Sequence, residues 1–455
     1  MHYDIIVVGS GAGGYTAALR AAAYGRRVAI VERGEVGGTC LNWGCIPTKA
    51  LLRSAEVYGL CRTAMQYGVD IEGEVKPDLA KIVARSRTVA SNMQKGVQML
   101  LKRAAVDVIE GSATLRSATS VEVADAIYTA DHIILATGAV SRELPFLPID
   151  HTHIITSRDA LVLEQLPSSI IIVGSGAIGC EFATLYAALG VRVTIIEYMP
   201  QLLPLEDAEV AATIERTFRR QRITALTSTT VRSAEVVDGR CRVTIEGKRG
   251  EEVLESDIVL ASVGIKSNID GIGLEEVGIQ IERDKVVVND ECRTSVENIF
   301  AIGDIIATPA LAHVAEAEAR RAVDVICGKP SQPINYALIP SCVFTHPEVA
   351  SVGITEQKAV AEGIEYQKAV YNFAASGRAM AMGERDGFAK LLFDKEQRLI
   401  GAHIVGAHIT EMLGEASLAC RLGVVAEDIA ATIHAHPTMN EAIMEAAHHA
   451  IEGAE

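Results

Sequence analysis

The stretch YDIIVVGSGAGGYTAALRAAAYGRRVAIVE, residues 3–32, decides the fold. Its unbroken apolar opening, Tyr3 to Val8, reads as a strand buried on both faces. Gly9, Gly11 and Gly14 follow in G-x-G-x-x-G, then an Ala-rich helix to Gly25 and a second strand, RVAIVE, ending in Glu32. Strand, glycine turn, helix and acid-terminated strand in this order are what a dinucleotide site requires. The glycines let the backbone approach a pyrophosphate at a helix N-terminus, and the acid accepts from a ribose hydroxyl.

The unit returns at residues 169–197, SIIIVGSGAIGCEFATLYAALGVRVTIIE, with Gly174, Gly176, Gly179 and Glu197. The interval from first glycine to acid is 23 positions in both copies. Two such units predict two dinucleotides held at once, or one dinucleotide and one flavin dinucleotide. A carboxylate at the second ribose repels a 2′-phosphate, and Tyr198, Met199 and Pro200 beyond it bring no arginine, so NAD is expected rather than NADP.

Just beyond the first unit stands GGTCLNWGCIPTK, Gly37 to Lys49, with Cys40 and Cys45. Residues five apart on an ideal α-helix have Cα atoms roughly 8.6 Å apart, against about 4.4–6.8 Å across a disulfide. Pairing would therefore distort a helix between them, and Gly37, Gly38 and Gly44 supply the freedom for it. Two readings stand: a labile, catalytic disulfide at a helix start, or two reduced structural thiols. Lys49, one or two turns on, either points at the same place or is a solvated helix lysine.

Size and composition bound the rest. A chain of 455 residues is too long for one core, and three domains are expected. An apolar content of 49% with abundant glycine suits an α/β protein with many tight turns. The net charge of -16 argues against nucleic acid and anionic membrane as partners. Nine irregularly spaced cysteines without CxxC suit a reducing compartment with at most one functional pair. The first strand begins by Tyr3 and no 18-residue apolar run occurs, so the cytoplasm is expected, or a processed organellar matrix form.

Further along, a long helical region runs to about Arg103, and residues 106–136 read as short strands that include Gly111. They close in HIILATG, ending at Thr137-Gly138. Residues 205–265 read as alternating strands and helices ending in DIVLASVG at Gly264. The run NIFAIGD puts Asp304 at a loop where a polyol hydroxyl can donate to it, followed by a helix start after Pro309. From Ile339 alternating strands predict an antiparallel sheet with a helix from Thr410 to Leu422. The tail, IHAHPTMNEAIMEAA, offers His436 and Glu441 as a base and its orienting carboxylate. With His434 they make two histidines and a carboxylate, types that also ligate metals, but no further ligands of matching spacing accompany them, and no metal is expected.

Together GGTCLNWGCIPTKALL, the paired glycine units, NIFAIGD and HAHPTMNE resemble the pyridine nucleotide-disulfide oxidoreductases, over essentially the whole chain. The resemblance implies an α/β fold: two Rossmann-like dinucleotide-binding domains plus a C-terminal α+β dimerisation domain. The implied intervals are 1–150 and 271–336 for FAD, 151–270 for NAD and 337–455 for dimerisation. FAD would lie against Gly9, Gly11, Gly14, Glu32, Lys49, Gly111, Thr137, Gly138 and Asp304, with Ala310, Leu311, Ala312 and His313 near its ring. NAD would lie against Gly174, Gly176, Gly179, Glu181, Glu197, Val231 and Gly264, with Lys49 and Glu181 paired between the cofactors.

Within the family the chain is most similar to members that oxidise protein-bound dihydrolipoamide and reduce NAD. That similarity implies a Cys40–Cys45 redox disulfide, with Cys40 the more accessible sulfur and Cys45 nearer the flavin. It also implies His436 and Glu441 acting across a homodimer, and lipoyl groups of acyltransferase or glycine-cleavage carrier proteins as partners. Glutathione-type enzymes of the same fold use NADPH and carry arginines after the second fingerprint; the remaining alternative is chiefly an interaction subunit of a 2-oxo acid dehydrogenase complex. Two departures stand out: Trp43 between the cysteines, where many relatives have a small aliphatic residue, and GIKSN at 264–268 in place of a more basic G-R-x-P-N.

Overall fold

The computed structural model describes residues 1–453; Ala454 and Glu455, the end of the expected 337–455 interval, lie outside the described residues. The opening apolar run forms the strand His2–Val8, whose Ile5, Ile6 and Val7 are fully buried. A strand buried on both faces needs neighbours of its own kind and helices over them. It pairs in parallel with Val28–Glu32 and with Ala126–Leu135. Asp107–Glu110 extends the sheet on one side, and Ile299–Ala301 pairs with Ala126–Leu135 on the other. An antiparallel pair, Ala113–Ser117 and Ser120–Val123, completes seven strands.

Helix α1 (Ala12–Ala23) leaves the glycine turn, and α2 (Gly38–Trp43), α3 (Cys45–Thr63) and α4 (Leu79–Arg103) follow. The expected unbroken helical region to Arg103 is corrected: α3 gives way to a 3-10 turn ended by Gly68 at φ 75°, and α4 starts only where Asp78 accepts from the Lys81 N–H at 3.1 Å. Left-handed glycine and an acidic N-cap are the usual stop and start signals. Gly111 sits in the bend after Asp107–Glu110, off the strands, at φ 141°.

The second unit has five parallel strands in the order Thr224–Leu226, Arg192–Ile196, Ser169–Val173, Ile258–Ala261, Ile154–Ile155. Helices α5 (Ser157–Ala160), α6 (Ala177–Ala188) and α7 (Ala208–Arg220) belong to it. Residues 205–265 hold one helix, not several. Beyond α7 the antiparallel strands Thr230–Val237, Arg240–Gly247 and Gly250–Ser256 form a ribbon, because Cys241, Val243 and Ile245 are buried at a period of two.

Helix α8 (Ala312–Ile326) returns to the first unit, where Arg20 of α1 donates Nε to Asp324 Oδ1 at 2.7 Å. The C-terminal sheet is antiparallel, in the order Ser341–Val343, Glu348–Gly353, Leu399–Gly406, Phe388–Phe393, Gln367–Asn372. With it come α9 (Glu356–Glu362), α10 (Gly377–Met382), α11 (Leu413–Leu422), α12 (Ala426–Ala431) and α13 (Glu441–Glu452). The helix expected from Thr410 opens as a 3-10 turn, Ile409–Met412, before α11. Helix α13 buries Ala442, Ile443, Ala446, Ala447 and Ala450, a stripe at helical spacing. The α/β class with two dinucleotide-type units and a third antiparallel unit is as the sequence predicts.

Two joints set the site. Ile265–Ser267 pairs with Ala139–Ser141, and Asn268 donates its N–H to Gly138 O at 2.8 Å and Nδ2 to Thr137 O at 3.1 Å. The departure GIKSN thus stitches the second unit to the Thr137-Gly138 edge of the first. Lys390, fully buried in the C-terminal sheet, donates to Asp207 Oδ1 at 2.9 Å at the start of α7 and also bonds Glu356. Removing one partner of such a buried pair costs about 3–5 kcal/mol.

Candidate active site

In a parallel sheet, ligands gather at the carboxyl ends of the strands. Here Gly9 N–H donates to Val31 O and Ala136 N–H to Val8 O, both at 2.8 Å, and Ile302 N–H to Leu135 O at 2.9 Å. This register brings Gly9, Glu32, Thr137 and Gly303-Asp304 to one edge. A cleft of about 1690 Å³ runs from that edge to the corresponding edge of the second unit, with Gly174, Glu197 and Gly264 on its wall. Single-ligand pockets are roughly 300–1,000 Å³, so this one has room for two dinucleotides.

The cysteine segment is seated on the first glycine turn. Gly37 and Gly38 have φ 99° and 62°, and a Cβ on Gly38 would stand 2.6 Å from Gly11 Cα. Helix α2 ends at Trp43, Gly44 breaks the run, and α3 starts at Cys45, so the two cysteines lie on separate helices. The break lets Cys40 donate an S–H···S hydrogen bond to Cys45, which lowers the Cys45 thiol to about 7; burial opposes this and the Lys49 charge assists it. The same bond, then burial, pushes the Cys40 thiol well above the ordinary thiol range. Both cysteines line the cleft. Cys45 opens its helix toward the cleft, whereas Cys40 sits inside the short α2.

Lys49 is no solvated lysine. Its Nζ donates to Glu181 at 2.9 and 2.8 Å, and Glu181, on α6, is buried. Phe344 of the C-terminal unit donates its N–H to Glu181 Oε1 at 3.0 Å, and its ring lies 4.6 Å from Lys49 Nζ. Three units thus meet at one ion pair beside the thiols. Phe344 was not legible in the sequence, since nothing in PSCVFTHP marks a residue that reaches another domain's carboxylate. Lys49→Met is expected to lower stability by about 2 kcal/mol, because a buried carboxylate loses a charged donor. Denaturant midpoints check this, and Lys49→Met with Glu181→Leu should recover part of the loss.

The two acids share one arrangement. Glu32 Oε2 accepts from Ser10 N–H at 2.9 Å and Ser10 Oγ at 2.6 Å; Glu197 Oε2 accepts from Ser175 N–H and Oγ, both at 2.8 Å. Each carboxylate thus braces its glycine turn from the second strand, a role the sequence pattern does not announce. Gly9, Gly11, Gly174 and Gly176 line the cleft, and Gly14 and Gly179 stand behind them where helix and glycine turn meet. A Cβ there would stand 1.9 Å from Gly9 O or 2.1 Å from Gly174 O, so glycine is what lets helix and strand touch. Gly111, Thr137, Gly138, Val231, Gly264, Asp304, Ala310, Leu311, Ala312 and His313 are all on the wall.

Three observations fit a flavin dinucleotide at the first edge. A Cβ on Gly11 would meet nothing within 4 Å, so the turn is open on its cleft side. Thr137 Oγ1 is buried without a hydrogen-bond partner. Asp304 has no ion-pair partner among the described residues, and burial raises its carboxyl above the usual range despite Lys285. An acceptor and a donor left unmatched at the carboxyl edge suit a polyol and a ring with polar atoms.

His436 and Glu441 stand elsewhere. His436 Nδ1 lies 2.7 Å from Glu441 Oε1, and Thr438 N–H donates to Glu441 Oε2 at 2.7 Å. Burial raises the Glu441 carboxyl, but the Thr438 bond and the imidazole bring it below its ordinary value. Neither residue lines the cleft of its own chain, and His436 is exposed. His434 forms a separate pair with Glu415 at 2.8 Å. Among the described residues no group of three potential metal ligands occurs.

The family model for pyridine nucleotide-disulphide oxidoreductases matches residues 3–319, and the model of that family's dimerisation domain matches 339–447. The chain belongs to this family: it is a flavoprotein disulfide oxidoreductase that uses FAD and a pyridine nucleotide, and it carries the dimerisation domain. It is 45% identical to dihydrolipoyl dehydrogenase of Chlorobaculum parvum, over 99% of this chain and 97% of that one. To the Bacillus subtilis dihydrolipoyl dehydrogenase it is 40% identical, over 98% and 97%. The crystal structure of LpdA from Mycobacterium tuberculosis superposes with a TM-score of 0.91 at 29% identity, over 98% of this chain and 99% of that one.

Proposed function

We propose that the chain oxidises protein-bound dihydrolipoyl groups to the cyclic disulfide and reduces NAD, as a homodimer whose two subunits each complete the other's site. Overall, a dithiol and NAD⁺ become a disulfide, NADH and a proton. The observation that carries the reading is Cys45, its thiol lowered to about 7, in a cleft shared by both glycine turns.

The chain's residues supply the thiol chemistry. His436, oriented by Glu441 and acting on the cysteines of a second copy, takes a proton from a substrate thiol, because the thiolate is the attacking form. That thiolate attacks Cys40 Sγ of the oxidised pair and the Cys40–Cys45 bond breaks. Cys45 is the sulfur expelled, and the nearby Lys49 charge favours its thiolate. The second substrate thiol then closes the ring and releases Cys40 with its proton, leaving the substrate oxidised and the cysteine pair reduced. FAD held at the first edge would supply the two-electron redox chemistry that links the reduced cysteine pair to a nicotinamide. Gly9, Gly11, Thr137 and Asp304 would hold the flavin dinucleotide, and Gly174, Gly176 and Glu197 the nicotinamide one, with Lys49 and Glu181 between them.

The same proposal takes 1–150 with 271–336, 151–270 and 337–455 as the functional units, lipoyl-bearing acyltransferase or glycine-cleavage carrier proteins as partners, and the cytoplasm as the site of action. Among the described residues no helix is long and apolar enough to cross a membrane. The deciding assay sets NAD reduction by dihydrolipoamide against NADPH oxidation by oxidised glutathione; turnover only in the second overturns the reading. NAD is expected to exceed NADP in kcat/KM by roughly 10²-fold or more, since a 2′-phosphate would meet the Glu197 carboxylate, a like-charge contact.

A further inference from the structure

We propose that Trp43, held against the guanidiniums of both Arg87 and Arg158, is a positioning residue that fixes α2 against α3 at the Gly44 break and ties that joint to the NAD-side unit. The proposal rests on Cys40 and Cys45 being the redox pair. Arg87 Cζ lies 4.2 Å and Arg158 Cζ 4.1 Å from the centre of the indole. Both guanidiniums therefore lie within cation–π distance of the same ring. Its Nε1–H is buried with no acceptor among the described residues. The two guanidiniums, and no hydrogen bond, therefore set its orientation. Neither arginine has a carboxylate within ion-pair distance among the described residues, in a chain of net charge -16.

The two arginines come from different units. Arg87 belongs to α4, and its Nη1 donates to Asn42 O at 2.6 Å, in the last turn of α2. Its neighbours do the same across the break: Ser86 Oγ donates to Pro47 O at 3.0 Å and Arg85 Nη1 to Ala50 O at 2.8 Å. Three successive residues of α4 thus bond carbonyls on both sides of the joint, and Asn42 O, at the C-terminal end of α2, is one that its own helix leaves without a donor. Arg158 belongs to α5, directly after the strand Ile154–Ile155 of the second sheet. That short helix is held by Asp159 Oδ2, which accepts from Thr156 N–H at 2.9 Å and Thr156 Oγ1 at 2.7 Å. The stack therefore runs from the first unit to the second through one of the four residues between the two cysteines, and the Cys40–Cys45 contact depends on the joint it holds.

The test follows iodoacetamide alkylation of Cys45 against pH in the reduced holoprotein, which needs neither nucleotide nor dihydrolipoamide and so stands if the substrate assignment fails. Trp43, the chain's one tryptophan, reports the stack directly through acrylamide quenching of its emission. Arg158→Met and Trp43→Leu are both expected to raise the alkylation midpoint by about half a pH unit or more toward the ordinary thiol value. Arg158→Met should also make the indole more quenchable, and Arg158→Lys, which keeps a cation on the ring, should restore both readings. The proposal is overturned if both midpoints stay at the parent value. A shift in Arg158→Met without one in Trp43→Leu would overturn it too, since that is a direct charge effect. Equal shifts in Arg158→Lys and Arg158→Met would do the same. Should Trp43→Leu fail to fold, the exposed Arg158 carries the test, with quenching as the reading that separates stacking from charge.

Discussion

Replacing Cys45 by serine is expected to abolish NAD reduction by dihydrolipoamide, a loss on the order of 10⁴-fold or more, as when the nucleophile of a concerted set is removed. A serine hydroxyl can neither form the disulfide nor leave as an anion near neutral pH, and Cys40 alone cannot carry two electrons. FAD content should be unchanged, because Gly11, Thr137 and Asp304 are untouched. The companion variant Cys40→Ala removes the S–H donor that is the chief cause of the depressed Cys45 thiol. In reduced protein its alkylation should begin later, moving up from about pH 7 toward the ordinary thiol range. The sign follows from the cause: a lost donor to the thiolate favours the neutral thiol. Measurable turnover in Cys45→Ser would remove the sulfur relay altogether.

His436→Gln is expected to slow dithiol oxidation by about 10²- to 10⁴-fold, the usual worth of a positioned base, while FAD remains bound. The deficit should shrink as pH rises toward the substrate thiol's own ionisation, since the thiolate then forms without help. Glu441→Gln should cost less, since its place in the first turn of α13 and its contact with the imidazole survive. The crossing of subunits can be read separately. Co-expressed Cys45→Ser and His436→Gln chains should form mixed dimers with one intact site and regain turnover that neither parent shows. No regain would mean that the base and the cysteines do not meet across two copies.

Much of this was legible in the chain. The repeated strand–glycine–helix–acid pattern requires parallel strands and an open turn at each carboxyl edge, because only that order places backbone amides and a carboxylate around a pyrophosphate. Gly44 between the cysteines marks the break, since a continuous helix keeps residues five apart too distant to touch. His436 and Glu441 are close in sequence, so local geometry alone joins them.

The rest was decided by contacts between residues far apart in the chain. Lys49 is either solvated or catalytic until Glu181, 132 positions on, and the Phe344 amide close around it. Trp43 is an odd side chain until Arg87 and Arg158 arrive from separate units to pack on its ring. Gly14 and Gly179 are pressed on the carbonyls of Gly9 and Gly174, a close approach that appears only once helix and turn are packed. Periodicity and turn chemistry act over a few residues and are written in order along the sequence. The pairing of charges, rings and carbonyls across units depends on how the sheets meet, which no local pattern encodes.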